Sequence, residues 1–393
     1  MGSIKLIKKA KSGKVDASLN KMLDSVEWGE FRLGDLFEIQ GNPQLNKDSF
    51  VFNEKGKYPY FTRTIFNNGI YGYVDYLDDI HKINGNCLAV GMMAMQFFYM
   101  DKDFYAGQFT KRAIPKSFNL TAKLATFFIS LINKKQDIFK GVLVRNFETT
   151  FNNSEVILPI KNNKIDFDFM EDFITKLENE KIQELDAYLK ASNLKDYHLT
   201  NEEQKVLGDF ESGKVKWEEF KLGDLFEKLK TKKLPFKAKE LPIEPKGIYN
   251  LPCLTSSFNN QGLNYYAPKD DATILKKVIS IPSNSDIYRA YFQSKEFTVL
   301  SDAYAISWIY DNKKLSHNQY LFTVPCINKV TDLSIYSYKN KLGGWNVVRN
   351  KHILLPTKNN KPNYKLMDTL ISAIQKLVIK DVVLYTNNKV GKN

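Results

Sequence analysis

The side chains best suited to chemistry in this sequence are arginines, amides and hydroxyls in turn-like segments. Arginine can bind guanine through two hydrogen bonds, and asparagine and glutamine can bind adenine in the same way. In the first half of the chain the candidates are Arg63, Thr64, Asn67, Asn68, Gln108, Lys111, Arg112 and Arg145. In the second half they are Ser256, Ser257, Asn259, Asn260, Asn284, Tyr288, Arg289 and Arg349. These side chains indicate a surface that could contact nucleic acid.

Each candidate also has a more ordinary interpretation. Two asparagines before a glycine form turns, because asparagine tolerates a left-handed backbone. A basic side chain at a nucleic-acid surface contacts phosphate more often than a base. We weigh phosphate contact and a structural role equally for Arg145 and Arg349, which share a Val-Arg-Asn context. Different residues at Arg63–Thr64 and Ser256–Ser257 would suit two readers of different sequences, but either pair could be idle surface.

The motifs of common enzymes are not found in the sequence. It has no glycine-rich phosphate loop, no Gly-x-Ser-x-Gly turn and no His-Glu-x-x-His pair. It also lacks the Asn/Asp-Pro-Pro-Tyr/Phe tetrapeptide of DNA amino-methyltransferases and an evident nuclease motif. Cys87, Cys253 and Cys326 are too far apart for the paired spacing of a zinc site or a disulfide framework. We therefore predict no catalytic residues and no metal site.

Composition favours a folded protein that attracts polyanions. Lys and Arg number 57 against 44 Asp and Glu, which gives a net charge of +13. The short basic stretch from Lys5 to Lys14 is expected to be a solvated tail. No run of about 18 apolar residues and no signal-peptide pattern is found, so we expect a cytoplasmic protein.

The chain contains an internal duplication. VEWGEFRLGDLFE, from Val26 to Glu38, returns as VKWEEFKLGDLFE, from Val215 to Glu227, with ten of thirteen positions identical. The offset is 189 residues at this point, 193 where Gly69 pairs with Gly262, and 197 where LPIKNN pairs with LPTKNN. We pair Asn67 and Asn68 with Asn259 and Asn260 by their identity. Each copy is expected to be one complete folding unit.

Within each copy, short segments rich in Val, Ile, Phe and Tyr are broken by Gly, Pro and Asn turns, which predicts a β-rich domain. One helix is expected near Leu120–Asn133. The predicted organisation is a basic N-terminal segment (1–25), a first domain (26–162), a first long helix (163–192), a linker (193–214), a second domain (215–358), a second long helix (359–386) and a tail (387–393). About 25 residues of helix give a rod of about 35–40 Å.

Apolar residues recur at helical spacing after each domain and predict a stripe on each long helix. The stripe residues are Met170, Phe173, Ile174, Leu177, Leu185, Met367, Leu370, Ile371, Ile374, Leu377 and Val378. The simplest prediction is that the two helices pack on each other through these residues.

Three motifs together resemble the type I restriction–modification specificity subunit family, including specificity chains of type IIB systems. They are the W-x-x-F-x-L-G-D-L-F-E opening of each copy, the F-N-N-(x)-G segment, and the L-P-x-K-N-N junction before each long helix. The resemblance spans nearly the whole chain.

This resemblance implies an α+β fold with two tandem target-recognition domains, each followed by a spacer helix. It implies that the helices pack antiparallel, with pseudo-twofold symmetry, and that each domain reads one half of a split double-stranded DNA site. The implied partners are DNA methyltransferase subunits, expected to be two, and a restriction endonuclease or translocase subunit. S-adenosylmethionine, and Mg²⁺ with or without ATP, would be held by those partners, and this chain would hold no cofactor.

One segment departs from the family pattern. Residues 89–99, AVGMMAMQFFY, stand where a polar turn is usual. They could be a repacked core, a surface for thymine methyl groups or a partner contact.

Two other kinds of function remain open from the sequence. One is a self-contained nuclease with an unrecognised active site, and the other is a duplicated β-rich ligand-binding protein. Steeply salt-dependent DNA binding would distinguish a DNA-binding chain from a ligand-binding one. If the chain is a specificity subunit, its residues 62–63 and 108–112 can be replaced by those of a relative with a different specificity. We expect this exchange to change only one half of the recognised site.

Overall fold

The computed structural model describes residues 17–283, 288–333, 335, 340 and 342–391. The chain divides into two compact units, which we call unit 1, up to Leu185, and unit 2, from Asp186 onward. No helix in these described ranges is both long enough and apolar enough to cross a membrane.

Unit 1 has helices before, within and after its sheets. They are α1 (Ala17–Asp24), α2 (Leu33–Leu36), α3 (Ala122–Ile132), α4 (Gln136–Gly141), α5 (Leu143–Asn153) and α6 (Phe167–Ala191), whose last turns belong to unit 2. Its strands are β1 (Glu27–Arg32), β2 (Phe37–Gly41), β3 (Tyr58–Phe61), β4 (Ile70–Val74), β5 (Cys87–Gly91), β6 (Gln96–Met100), β7 (Tyr105–Ala106), β8 (Thr110–Pro115), β9 (Glu155–Lys161) and β10 (Lys164–Ile165). They form three sheets, ordered β1-β9-β10, β2-β8-β5-β6 and β4-β3-β7.

Unit 2 repeats this arrangement strand for strand. Its helices are α7 (Asn201–Glu211), α8 (Leu222–Leu225), α9 (His317–Thr331), α10 (Trp345–Val348) and α11 (Tyr364–Val390). Its strands are β11 (Trp217–Lys221), β12 (Phe226–Lys228), β13 (Tyr249–Leu254), β14 (Leu263–Pro268), β15 (Val278–Pro282), β16 (Tyr291–Gln293), β17 (Thr298–Val299), β18 (Ala303–Trp308), β19 (His352–Lys358) and β20 (Lys361–Pro362). The sheets are ordered β11-β19-β20, β12-β18-β15-β16 and β14-β13-β17.

The core of unit 1 lies between the four-stranded sheet and the helices that follow it. Strand β5 is buried along its whole length because it lies between β8 and β6. Phe37 of β2 packs edge-on against Phe128 of α3, with 5.1 Å between the ring centroids. The Thr121 hydroxyl caps α3 by accepting a hydrogen bond from the Leu124 N–H. This confirms the helix predicted near Leu120–Asn133.

The core of unit 2 is built in the same way. Strand β15 is also buried throughout, between β18 and β16. Phe226 of β12 packs edge-on against Trp308 of β18, with 5.1 Å between the ring centroids. Helix α9 begins with a capping box in which Ser316 and Gln319 each bind the other's backbone N–H.

The two long helices begin later than predicted. Asn162 and Asn163 have φ of 51° and 56°, and the short strand β10 follows them, so α6 starts at Phe167 rather than at 163. The same left-handed pair, Asn359 and Asn360, delays α11 to Tyr364, and α11 continues to Val390 instead of ending at 386. A tight β-turn therefore separates each domain from its helix.

Several predicted helix–helix residues pack instead on the core of their own unit. Met170, Phe173 and Ile174 are buried in the core of unit 1, with Leu177 at its margin. In unit 2, Met367 and Leu370 are buried in the core, and Ile371 packs against it. The first turns of each helix thus complete the adjacent domain. Pairing of the two helices through the rest of the apolar stripe stays a prediction.

The predicted linker contains helix α7, and it is fixed on α11. Glu203 of α7 accepts hydrogen bonds from the Ser372 hydroxyl at 2.6 Å and from the Lys376 ammonium at 2.9 Å. Burial alone would raise the pKa of Glu203, but these bonds and those from Thr200 lower it to about 2. The carboxylate is therefore charged and paired at neutral pH.

Helix α1 of unit 1 occupies the corresponding place, inside the predicted basic segment. Leu19 of α1 is buried in the core of unit 1. The Ser18 hydroxyl donates to Glu180 of α6 at 2.7 Å. Each unit thus has a short helix before its first strand that is hydrogen-bonded to the long helix after its last strand.

Candidate functional site

The candidate residues of the FNN segments lie in two turns with the same backbone. Turn 1 comprises residues 62–70 and turn 2 comprises residues 255–263. Asn67 and Asn68 have φ/ψ of 47°/46° and 53°/33°, and Gly69 has φ of 81°. Asn260 and Gln261 have φ/ψ of 48°/40° and 56°/28°, followed by Gly262 with φ of 86°. The turns are equivalent at an offset of 193 residues.

This equivalence corrects the pairing of the asparagines. Asn67 corresponds to Asn260 and Asn68 corresponds to Gln261, so pairing them with Asn259 and Asn260 was wrong by one residue. In both turns the two residues before the glycine have the left-handed conformation. The Asn-Asn dipeptide lies directly before the glycine in turn 1 but one residue earlier in turn 2. Pairing the tips by residue identity therefore misaligned them.

Some candidate side chains stabilise the turns themselves. Asn67 Nδ2 donates to the Ile70 carbonyl at 3.2 Å, and Asn260 Nδ2 donates to the Leu263 carbonyl at 2.9 Å. The Thr64 hydroxyl accepts from the N–H two residues later at 3.2 Å, and the Ser257 hydroxyl does the same at 3.1 Å. The two turns therefore share a scaffold that does not depend on their other side chains.

The tips of the turns differ in the side chains they expose. In turn 1, Arg63 is exposed, Ile65 is 50% exposed and Phe66 is 77% exposed. In turn 2, Phe258 is 48% exposed and Asn259 is exposed. The same backbone thus presents a cationic and apolar surface in one unit and an amide with an aromatic ring in the other.

Gly69 and Gly262 allow a matched test of how tightly turn 1 is packed compared with turn 2. Both need a left-handed backbone, which costs an L-residue about 1–2 kcal/mol. A Cβ on Gly69 would also lie 2.2 Å from Cε2 of the buried Phe61, whereas a Cβ on Gly262 would come no closer than 3.3 Å to another atom. In urea unfolding, we expect Gly262→Ala to lower the free energy of unfolding by about 1–2 kcal/mol and Gly69→Ala to lower it clearly more. Equal losses would contradict the difference in packing.

Turn 1 borders a polar concavity of about 180 Å³ on unit 1. Gln108 Nε2 donates to Asn46 Oδ1 at 3.0 Å on its wall. The Arg63 guanidinium carbon lies 5.7 Å from the centroid of the exposed Phe109 ring. The concavity is lined by Asn46, Lys47, Tyr60, Thr62, Arg63, Tyr71, Gly107 and Gln108. The structure therefore brings together Arg63 and Gln108, which come from separate segments of the sequence.

Sequence reasoning missed Asn46, Lys47 and Tyr71 in this surface. Asn46 and Lys47 lie in the segment between β2 and β3, which is not part of any repeated motif. Tyr71 lies on the edge strand β4, where exposed residues alternate with the half-buried Ile70 and Gly72. This alternation was the sequence signal that could have identified Tyr71 as exposed. The segments that vary between the copies are therefore where further contact residues should be sought.

Other predicted contact residues are engaged within their own unit. The Arg112 guanidinium donates to Gln40 Oε1 at 2.9 Å and to Asn42 Oδ1 at 3.0 Å, which holds it along strand β2. Lys111 pairs with Glu148 at 3.4 Å. DNA contact by Lys111 and Arg112 stays a prediction that would require these bonds to be shared or exchanged.

In unit 2, the structure gives little support for DNA contact by the candidates Asn284, Tyr288 and Arg289. Tyr288 is fully buried, so its proposed role in contacting DNA is corrected: the ring is part of the core. Arg289 is exposed, but its Nε donates to Asp332 Oδ2 at 2.9 Å. Asn284 lies outside the described residues.

Arg145 and Arg349 are both exposed, but they are not equivalent. Arg145 lies in the first turn of α5, whereas Arg349 ends α10 and its carbonyl accepts a hydrogen bond from the Gly223 N–H. A Cβ on Gly34 would meet Asn152, and one on Gly223 would meet Arg349, so Asn152 is the true counterpart of Arg349. The shared Val-Arg-Asn context was a coincidence of sequence.

The methionine-rich segment is mainly core. Met92, Met95 and Phe97 are buried in the core of unit 1, which supports a repacked core. Met93 is the exception, at 66% exposure. A contact role therefore remains open only for Met93 among the methionines of this segment.

Two observations concern metal binding and thiol reactivity in the described residues. No group of three or more His, Cys, Asp and Glu side chains is placed to bind a metal ion in the described ranges. Burial raises the pKa of Cys87 and Cys253 to about 12 and that of Cys326 to about 11. These thiols are therefore poor nucleophiles.

Known proteins match the chain over both units. Residues 25–187 and 214–384 each match the family model of the type I restriction modification DNA specificity domain. The type II restriction enzyme BgcI specificity subunit S.BcgI of Heyndrickxia coagulans is 21% identical over 367 residues, which cover 91% of this chain and 97% of that protein. The solved S subunit of a type I restriction–modification system from M. genitalium has 14% identity and a TM-score of 0.52, over 94% of this chain and 93% of that one.

The family model matches well over half of the chain, and the solved S subunit supports the fold. The prediction of an α+β fold with two tandem domains is thereby confirmed, as is the family resemblance. A self-contained nuclease and a ligand-binding protein gain no support from these matches. The chain belongs to the type I restriction–modification DNA specificity family, and it is a specificity subunit with two tandem copies of that family's domain.

Proposed function

We propose that unit 1 and unit 2 each read one half of a split DNA site through turn 1, turn 2 and the surfaces beside them. The observation that carries this proposal is the pair of matched turns, whose backbones agree while their exposed tips differ. One scaffold with different side chains is what two readers of unlike half-sites need. The arginine, amide and hydroxyl groups at these tips are able to bind base edges in a groove.

The chain contributes recognition and no chemistry in this proposal. Methyl transfer would be done by methyltransferase subunits that hold S-adenosylmethionine, and cleavage by a nuclease subunit that uses Mg²⁺. The net charge of +13 supports DNA binding, since cationic proteins release counterions from the phosphate backbone.

The long helices are proposed to set the spacing of the half-sites and to bind the partner subunits. Helix α6 has 25 residues and is therefore about 37 Å long, close to one turn of B-DNA. Helix α11 leaves a stripe of apolar side chains exposed, namely Ile374, Leu377, Val378, Val382 and Tyr385. An apolar stripe of this kind is typical of a helix that binds another subunit.

The test is methylome sequencing of cells that express this chain together with a methyltransferase subunit of its own restriction–modification system. We expect a methylated split motif that disappears when only this chain is deleted. The motif would also give both half-sites and their spacing. Methylation that is unchanged by the deletion would overturn the proposal.

A further inference from the structure

A strongly basic surface of unit 2 lies on the segment between β12 and β13, residues 229–248, which we call the lysine arm. It carries six lysines against two glutamates, a net charge of +4. The lysines are Lys230, Lys232, Lys233, Lys237, Lys239 and Lys246, and all six are exposed. Among the residues that the structure describes, only Lys232 of these forms an ion pair, with Asp271. The other five ammonium groups are available to a polyanion.

The backbone of the lysine arm is fixed even though its charged groups face solvent. Leu234 and Leu241 are buried in a small apolar cluster of unit 2. The Pro242 carbonyl accepts a hydrogen bond from the Tyr266 N–H of edge strand β14 at 2.9 Å. A fixed backbone lowers the conformational entropy that binding must restrict. Strand β14 begins at the end of turn 2, so the lysine arm and the proposed reading turn both adjoin this strand.

Unit 1 has no comparable charge at the corresponding place. Its segment between β2 and β3, residues 42–57, has three lysines against Asp48 and Glu54, a net charge of +1. That segment is anchored by aromatic rings, with Phe50 and Phe52 packed against Tyr60. The duplication has therefore left the basic segment in only one of the two copies.

We propose that the lysine arm binds the DNA phosphate backbone next to the half-site of unit 2, so that unit 2 supplies more of the salt-sensitive binding than unit 1. This inference rests on the proposed function, since it presumes that the chain binds DNA. Exposed lysines without acidic partners are the groups that displace counterions from phosphates. Phosphate contacts hold and orient the duplex without reading its sequence.

The experiment compares two quadruple variants of the full chain with equal loss of charge. The arm variant is K230Q/K233Q/K237Q/K239Q, and the control is K134Q/K140Q/K161Q/K164Q, which changes four exposed lysines of unit 1. Both have a net charge of +9 in place of +13. The affinity for a random-sequence 40-base-pair duplex is measured at several salt concentrations. Circular dichroism and thermal unfolding establish that both variants fold.

We expect the slope of log affinity against log salt to become shallower by roughly 2 to 4 in the arm variant, at about 0.9 for each lost phosphate contact. The control should stay close to the parent chain, and the methylated motif in cells should be the same for all three. An unchanged slope in the arm variant, or an equal change in the control, would overturn the inference.

Two further results separate this inference from the proposed function. If the parent chain binds the duplex with a steep salt dependence and the arm variant does the same, only the inference on the lysine arm fails. If the parent chain shows no salt-dependent binding to DNA, the proposed function fails and the inference fails with it.

Discussion

Moving the tip of turn 2 onto turn 1 is expected to change one half of the methylated site and to leave the other half and the spacing as they were. The variant replaces residues 63–66, Arg-Thr-Ile-Phe, by Ser-Ser-Phe-Asn, the sequence of residues 256–259. The backbone should accept the exchange, because both turns have the same dihedral angles and the serine hydroxyl can replace that of Thr64 as acceptor. Loss of one good base contact costs about 1–3 kcal/mol of discrimination.

The measurement is the methylated motif found in cells that carry the variant and its methyltransferase. Thr64→Ser alone is the control, because it keeps the hydroxyl within the turn, and it should leave the motif unchanged. The reciprocal exchange at residues 256–259 should affect the other half-site. If either exchange alters both halves, the two units do not read DNA independently. This design leaves Arg112 unchanged, since its hydrogen bonds to Gln40 and Asn42 give it a role in the unit itself.

The duplication made the fold predictable from the sequence. Two copies of one motif set must form the same structure, and matched positions such as Phe104 and Phe297 do form the same isolated bridges, with Ile83 and Leu275. Alternating apolar residues and left-handed Asn or Gly turns predicted a β-rich domain because these features act locally. The strands and turns, which depend on local sequence features, could therefore be predicted.

The surfaces that cover the helices were harder to predict from the sequence. The apolar stripe around Met170 and Met367 predicted a helix that buries one face, but the period does not say which surface covers that face. The structure covers it with the adjacent domain. Helix α7 was missed because it is mostly polar and because Glu203, which joins it to α11, has its partners Ser372 and Lys376 about 170 residues away in the sequence.

The candidate site was predictable in its residue types and less so in its geometry. Arg63 and Gln108 do share one concavity. Tyr288 could not be excluded beforehand, because whether a side chain faces the core or solvent depends on tertiary packing. The offset between the copies changes with every insertion, and α4 and α5 lie in unit 1 between α3 and β9. Matching Arg145 to Arg349 by a tripeptide therefore failed.

An aspartate in the exposed stripe of α11 is expected to prevent assembly with the methyltransferase while DNA binding by the chain itself is retained. Leu377 and Val378 are 46% and 73% exposed, so Leu377→Asp and Val378→Asp should not disturb the core of unit 2. A carboxylate buried in an apolar interface without a partner costs several kcal/mol, and about 3 kcal/mol would weaken the complex more than hundredfold. Copurification of the methyltransferase and the methylated motif should therefore both be lost.

The matched control adds the same charge to the same helix outside the stripe. Asn387 is exposed, and it lies on the opposite side of α11 from Val378, because nine residues at 100° each correspond to 180° of rotation. Asn387→Asp is therefore expected to keep both the complex and the methylation. If Leu377→Asp and Val378→Asp also keep them, the stripe is not the docking surface. If all three variants lose the complex, the added charge on α11 explains the loss better than the apolar stripe does.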